Sequence, residues 1–271
     1  MATGDALSIS AGHINIFLLL FIPEAVNTNM LFYIMISNYG ILSAILICGM
    51  LLSVYTGKLT IKAAIAGGII GFLVFTGAGF TGIAMMTSFF IMGSSATAWK
   101  INMKQSLGLA EKNKGRRNAL QVIANAGVAA VLGLLVYICP QKAVMLQLMM
   151  AAGFASASAD TLSSELGNIY GRRFYNILSL KKDTRGLNGV ISIEGTLFGV
   201  AGSTVIAIIY ATGFGWNKYF TCVILAGTAG NVIDSVLGAS LERKHYLQND
   251  AVNFLNTITA AATAFLLYTV V

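Results

Sequence analysis

Long apolar runs separated by short polar segments dominate this chain from Leu31 onward. A helix needs about 20 predominantly apolar residues to cross the hydrocarbon core of a bilayer, and eight runs approach that length. They are Leu31–Tyr55, Leu59–Thr76, Gly79–Trp99, Ala119–Cys139, Ala143–Ser163, Ile191–Thr212, Tyr219–Ser240 and Ala251–Val271. A shorter run, Leu7–Ile22, fits either a ninth span or an interfacial helix. The pattern predicts an all-α, polytopic transmembrane helical bundle that forms one domain over residues 1–271.

The composition agrees with this class. Hydrophobic residues make up 56% of the chain, charged residues 10%, and there are two prolines, as in a helical membrane protein rather than a soluble domain. The three cysteines lie in apolar runs without paired spacing, so neither a disulfide framework nor a zinc site is indicated. Since no Lys or Arg precedes Lys58, we expect no removable signal peptide.

The distribution of basic residues predicts the orientation. If all eight runs cross, 15 of the 17 Lys and Arg lie on one side, and Lys142 and Lys218 lie on the other. The positive-inside rule makes the first side cytoplasmic, with loops at about 100–118 and 166–190 and the C-terminus outside. We therefore expect an integral protein of the inner or plasma membrane without a nucleic-acid partner. The sequence leaves the oligomeric state open.

Four carboxylates stand out against the apolar background: Asp160, Glu165, Glu194 and Asp234. Ionisable groups at membrane depth are costly and mark functional sites. The predicted topology brings all four to the cytoplasmic leaflet, whereas a proton relay would distribute them across the membrane. The pattern favours a site that meets soluble ligands of the cytosol.

The segment Ala159–Gly167 holds two of these carboxylates. On a helix, Asp160, Ser163 and Ser164 share a face, and Glu165 lies about 140° round from Asp160. Both carboxylates reach one site only if the helix ends or bends there, or if neighbouring helices surround it. A buried salt bridge between Asp160 and an arginine is the structural alternative.

A basic segment leads into the next predicted helix. Lys181, Lys182 and Arg185 precede the turn Asn188-Gly189, and Glu194 follows at the helix start. Free backbone amides, a helix dipole and nearby cations suit phosphate binding. An ordinary basic loop attracted to anionic lipids is equally compatible with this spacing. No Walker motif occurs in the chain.

Oxygen-bearing side chains on one face of the seventh predicted helix suit a hard cation. Asn231, Asp234 and Ser235 lie about one turn apart, and magnesium prefers one or two carboxylates together with phosphate oxygens and water. Asn125 and Asn253 lie near the same leaflet and are as compatible with structural as with functional roles.

A run of positive charge precedes the fourth predicted span. It is either a solvated loop or a mouth that attracts anions to the site. The basic residues concerned are Lys100, Lys104, Arg116 and Arg117.

With these motifs in place, the chain resembles the integral-membrane family that includes the plant phytyl-phosphate kinases of vitamin E synthesis. The resemblance is carried by Gly93–Thr97 with Lys100, Arg117–Gly127, Ala159–Gly167, Gly186–Thr196, Gly230–Gly238 and Asn249–Asn253. It implies a membrane kinase that converts an isoprenoid monophosphate to the diphosphate with magnesium and CTP or another nucleoside triphosphate. The family often has Gly-Thr-Asn-Gly-Gly where this chain reads Arg185-Gly-Leu-Asn188-Gly189-Val190.

The resemblance also implies roles for individual residues. Asp160, Glu165 and Asp234 would hold magnesium, and Lys182 and Arg185 would neutralise the transferring phosphoryl group. The residues expected to bind the nucleotide and its phosphates are Asn125, Ser164, Lys181, Asn188, Gly189, Glu194 and Asn253. Two alternatives stay open, a CTP-dependent cytidylyltransferase acting on a lipid phosphate and a cation-coupled transporter.

Overall fold

The computed structural model describes residues 28–110 and 115–271, so the predicted segment Leu7–Ile22 lies outside the described residues. Eight α-helices run through this part of the chain and confirm the all-α transmembrane class. They are α1 (Thr28–Tyr55), α2 (Ile61–Ala98), α3 (Ile101–Ser106), α4 (Ala119–Ile138), α5 (Ala143–Tyr170), α6 (Ile193–Phe214), α7 (Tyr219–Leu237) and α8 (Asn249–Val270). A short antiparallel pair, β1 (Tyr175–Asn176) and β2 (Val190–Ile191), lies between α5 and α6.

Helix α2 is a helical hairpin rather than a straight rod. Gly79 has φ 55° and ψ −148°, a conformation that glycine adopts readily and that residues with a Cβ avoid. In an unbroken helix, Gly71 and Met86 would lie about 22 Å apart along the axis. The Met86 methyl carbon instead lies 3.0 Å from the position that a Cβ on Gly71 would occupy. The two arms, residues 61–78 and 80–98, therefore fold back against each other.

The hairpin accounts for the number of spans. Seven helices of the described chain are long and apolar enough to cross a membrane, and because α2 contributes two arms, they supply the eight segments that the sequence predicts. Leu59 pairs with Arg117 through the backbone, and Lys104 forms an ion pair with Glu165. These contacts bring together the starts of α2 and α4 and the end of α5. This end of the bundle is called the polar end below.

The end of α5 differs from the prediction. The helix continues well beyond Ser163 to Tyr170, so the predicted loop at 166–190 begins too early, and the connection consists of residues 171–192. Loss of hydropathy after Asp160 suggested an exit from the membrane. In the structure α6 covers this part of α5, and a Cβ on Gly167 would lie 2.8 Å from the Cα of Gly195. Glu165 and Gly167 are buried by these neighbours, so the helix continues without an apolar sequence.

Helix α5 occupies the centre of the bundle. In the apolar stretch of α5, 72% of the residues are buried, compared with 11–50% in the corresponding stretches of the other six candidate spans of the described chain. The residues from Ala151 to Ala159 include alanines and serines with 0–1% exposure. Small side chains let neighbouring backbones approach closely where no hydrophobic effect drives helix association. Helix α5 thereby contacts α2, α4, α6, α7 and α8.

The contact between α4 and the first arm of α2 depends on Gly133. A Cβ at this position would lie 2.1 Å from the carbonyl oxygen of Leu73. We predict that Gly133→Ala lowers the free energy of unfolding by about 1–3 kcal/mol, because overpacking outweighs the better helix propensity of alanine. The melting temperature in detergent measures the effect. The matched control is Gly40→Ala in α1, where a Cβ would meet nothing within 4 Å, and equal melting temperatures for the two variants would contradict the prediction.

Candidate functional site

A cavity of about 270 Å³ opens at the polar end of the bundle. Its walls come from the start of α4, the end of α5, the start of α6, the end of α7, the start of α8 and the connection 171–192. Eight of the twelve residues that the sequence assigns to metal, nucleotide or phosphate binding line this polar cavity. They are Asn125, Asp160, Ser164, Glu165, Asn188, Gly189, Asp234 and Asn253.

Asp160 and Asp234 both line the polar cavity. They come from α5 and α7, and their side chains lie close enough to interact. The Asn256 amide nitrogen on α8 donates to the Asp234 carboxylate at 2.8 Å, and the Ser156 hydroxyl donates to the Asn256 amide oxygen at 3.1 Å. These hydrogen bonds connect α5, α7 and α8 and fix the position of Asp234.

The chemistry of this pair fits magnesium. Two adjacent carboxylates repel each other unless a proton or a cation lies between them. Within the described residues no group of three or more His, Cys, Asp or Glu is arranged to hold a metal ion, so a cage built from protein carboxylates alone is not formed there. Magnesium bound through one or two carboxylates completes its shell with water and substrate phosphates. Asp160 and Asp234 can therefore hold the ion when a phosphate ligand arrives with it.

Glu165 lines the polar cavity but has a different partner. Its carboxylate accepts a hydrogen bond from the Lys104 ammonium of α3, and the two residues are 8% and 1% exposed. The same ammonium donates to the carbonyl oxygens of Ala96 and Thr97 at 2.7 and 3.1 Å. Lys104 thus satisfies the C-terminal carbonyls of α2 and pairs with Glu165 at once. The structure gives Glu165 a buried ion pair in the cavity wall.

The predicted phosphate-binding cations lie elsewhere. The Arg185 guanidinium stacks on the ring of Phe174 at 5.2 Å and donates to the carbonyl oxygen of Ile169. Lys181 and Lys182 are exposed, and the Glu194 carboxylate accepts from the backbone of Arg172 at 3.4 Å. None of the four predicted residues Lys181, Lys182, Arg185 and Glu194 belongs to the lining of the polar cavity in the described structure. Their proximity in sequence to the Asn188 turn predicted phosphate contacts, whereas in the fold only Asn188 and Gly189 of this region's predicted residues line the cavity.

Arg243 fixes the Asn188 turn, which lines the polar cavity. Its Nε donates to the carbonyl oxygen of Asn188 at 2.6 Å, and its Nη1 lies 2.8 Å from Asp183. The backbone amide of Thr184, together with Arg243, holds the pKa of the Asp183 carboxyl below its ordinary value. A lowered pKa means that the carboxylate stabilises the fold above about pH 4. This contribution is lost only as the pH falls through the lowered pKa. The ion pair between Asp183 and Arg243 is therefore intact at neutral pH.

Several cavity residues were not predicted as part of the site. Gln121 forms a capping box with Asn118, in which each side chain accepts a hydrogen bond from the other residue's backbone amide. The spacing Asn-x-x-Gln is the sequence signal for this motif. Glu242 ends the π-helical segment Gly238–Glu242 that continues α7, and it lines the cavity. For Arg117 the sequence suggests only a role in attracting anions to the site. Arg117 is the single Lys or Arg among the described residues that line the polar cavity.

The ion pair between Lys104 and Glu165 generates a stability prediction. Removing one partner leaves the other buried and uncompensated, so Lys104→Met and Glu165→Gln should each destabilise the protein, by about 3–5 kcal/mol for the stronger case. The double variant Lys104→Met/Glu165→Gln should lose clearly less than the sum of the two single variants. Thermal unfolding in detergent without added metal measures all four proteins. Strict additivity would show that the two residues do not act as a pair.

Comparison with known proteins places the chain in a family. Residues 44–261 match the family described as integral membrane protein DUF92. An uncharacterized membrane protein of Synechocystis sp. is 33% identical over 202 residues, which cover 72% of this chain and 77% of that protein. Protein VTE6, chloroplastic, of Arabidopsis thaliana is 31% identical over 207 residues, covering 73% of this chain and 62% of that protein. An uncharacterized membrane protein of Methanocaldococcus jannaschii is 30% identical over 227 residues, covering 83% and 93% of the two chains.

No solved structure matches the chain at a significant level. The family match covers most of the sequence and includes every helix from the middle of α1 to the middle of α8. The chain therefore belongs to the integral membrane protein family DUF92, which confirms the family resemblance seen in its sequence.

Proposed function

We propose that this protein is a membrane kinase that transfers a phosphoryl group from CTP or another nucleoside triphosphate to an isoprenoid monophosphate. The observation that carries the proposal is the contact between Asp160 and Asp234 inside a polar cavity at one end of a transmembrane bundle. The family resemblance to phytyl-phosphate kinases supports the same reaction class. By the distribution of basic residues, this end of the bundle faces the cytoplasm, where nucleotides are available, and the C-terminus lies outside.

The charge of the polar cavity supports a need for magnesium. Among the described residues that line it, four carry carboxylates and only one carries a positive charge, Arg117. The carboxylates are those of Asp160, Glu165, Asp234 and Glu242. A triphosphate entering this negative environment requires cations to offset the repulsion, and metal ions supply such neutralisation in phosphoryl transfer. Asp160 and Asp234 would hold magnesium, and Glu165, paired with Lys104, would keep the wall in shape.

Amide groups around the carboxylates would orient the phosphates. Asn125, Asn188 and Asn253 line the polar cavity from three different elements, and each carries hydrogen-bond donors suited to phosphate oxygens. In the proposed reaction an oxygen of the acceptor monophosphate attacks the γ-phosphorus, and the bond from that phosphorus to the bridging β–γ oxygen breaks. The products are the prenyl diphosphate and the nucleoside diphosphate. The acceptor oxygen is already anionic, so the step needs no strong general base.

The carboxylate pair provides the test. We expect the purified protein in detergent or vesicles to convert phytyl or geranylgeranyl phosphate to the diphosphate with CTP or ATP and magnesium. Asp160→Asn and Asp234→Asn should each lower kcat/KM about 100-fold or more, because electrostatic stabilisation of the transferring group is lost. The matched control is Asp250→Asn at the start of α8, outside the cavity lining, which should retain activity.

Labelled nucleotide distinguishes the possible reactions. Label from the γ-phosphate of CTP should enter the lipid product, whereas entry of the α-phosphate label would identify a cytidylyltransferase instead. Folded wild-type protein that turns over no member of a panel of prenyl phosphates and nucleoside triphosphates would overturn the proposal. Full activity of Asp160→Asn would overturn the role given to the pair.

A further inference from the structure

A second cavity of about 150 Å³ lies between α1, both arms of α2 and α4. Its walls are almost entirely apolar, with aliphatic and aromatic side chains from each of these helices, and it is called the apolar groove below. Residues that line it include Ile45, Met50, Ile70, Ile83 and Phe90. Ile45 on its rim is 41% exposed, so the apolar groove opens on the face of the bundle that meets lipid.

The apolar groove and the polar cavity meet at three residues. Arg117, Gln121 and Asn125 line both, so apolar and polar surfaces continue into each other at the start of α4. Along α1, the groove extends from Ser53 near the polar end to Ile45, a distance of about 12 Å at 1.5 Å per residue. One elongated ligand can therefore occupy both spaces.

Arg117 is held in place at this junction. Its amide donates to the carbonyl oxygen of Lys58 at 2.9 Å, and its carbonyl oxygen accepts from Thr60 at 3.1 Å. The guanidinium lies 5.3 Å from the centre of the Phe89 ring, and the residue is 9% exposed. A positioned arginine binds phosphate through paired hydrogen bonds.

We propose that the apolar groove binds the isoprenoid tail of the acceptor and that Arg117 contacts its phosphate group; the assignment to an acceptor rests on the proposed function. The ligand chemistry follows from the two surfaces: a hydrocarbon tail matches the groove, and an anionic head matches Arg117 at the mouth of the polar cavity. A nucleotide is too polar to occupy the groove. Bound in this way, the acceptor phosphate faces the carboxylate pair from the side of α4.

Two glycines allow the apolar groove to be filled. Gly49 and Gly67 line it, and a Cβ at either position would meet nothing within 4 Å, so a larger side chain can extend into the groove without a backbone clash. We expect Gly49→Phe and Gly67→Phe each to lower the ratio of kcat/KM for geranylgeranyl phosphate to that for dimethylallyl phosphate about tenfold. Gly40→Phe is the matched control, since Gly40 lies on α1 outside the groove with the same free space. An unchanged ratio in both groove variants would overturn the proposal.

Arg117→Gln tests the contact with the head group. The KM for both prenyl phosphates should rise about tenfold or more, because a charged hydrogen bond is lost, while the KM for the nucleotide stays close to that of the wild type. A rise confined to the nucleotide KM would overturn the assignment of Arg117 to the acceptor. Arg117→Lys should recover part of the affinity, since it restores the charge without the planar guanidinium.

Photocrosslinking separates failure of this inference from failure of the proposed function. A geranylgeranyl phosphate analogue with a photoreactive group at the end of its tail should label peptides from the groove walls, which are residues 45–53, 59–70, 83–90 and 117–126, and Gly49→Phe should abolish that labelling. Such labelling without any phosphoryl transfer would refute the kinase while supporting a prenyl-phosphate groove. Transfer accompanied by labelling elsewhere in the protein would refute the groove while supporting the kinase. Equal labelling by an analogue that lacks the phosphate would show that any lipid chain enters, which would overturn the acceptor assignment.

Discussion

The central position of α5 is the constraint on which the rest of the structure depends. A membrane offers no water to buried polar groups, so a helix that carries carboxylates must be surrounded by protein there. The alanines and serines from Ala151 to Ala159 have almost no exposed surface, and their small volume lets five other helices approach. The polar end of α5 is thereby enclosed. Asp160 can contact Asp234 in the wall of the polar cavity rather than face lipid.

The same packing explains why Glu165 differs from Asp160 although both belong to one short motif. The helix continues through them without a bend large enough to end it, so the two side chains leave α5 in different directions. Asp160 faces α7 and contacts Asp234, while Glu165 faces α3 and pairs with Lys104. Two carboxylates with similar sequence surroundings consequently acquire different chemistry. The first belongs to the carboxylate pair that we propose binds a cation, and the second supports the cavity wall and the end of α2.

The polar cavity and the apolar groove together form a continuous amphipathic surface. Their shared residues belong to the first turns of α4 and to the segment just before it. This segment is fixed by backbone hydrogen bonds to the chain that enters α2. The hairpin at Gly79 returns the second arm of α2 to the same end of the bundle. The polar cavity and the apolar groove therefore share Arg117.

The sequence by itself determined the membrane class, the eight apolar segments of the described chain and eight cavity-lining residues among the twelve predicted site residues. Apolar runs of membrane length and costly charges at their ends are local features, and the alternation of spans brings alternate helix ends to one side. Only the tertiary structure decided that α5 continues to Tyr170, that Glu165 pairs with Lys104, and that Lys182 and Arg185 lie outside the cavity. Each of these depends on which neighbour covers a side chain. Hydropathy and spacing describe one helix at a time, whereas coverage is set by the packing of helices that are distant in the chain.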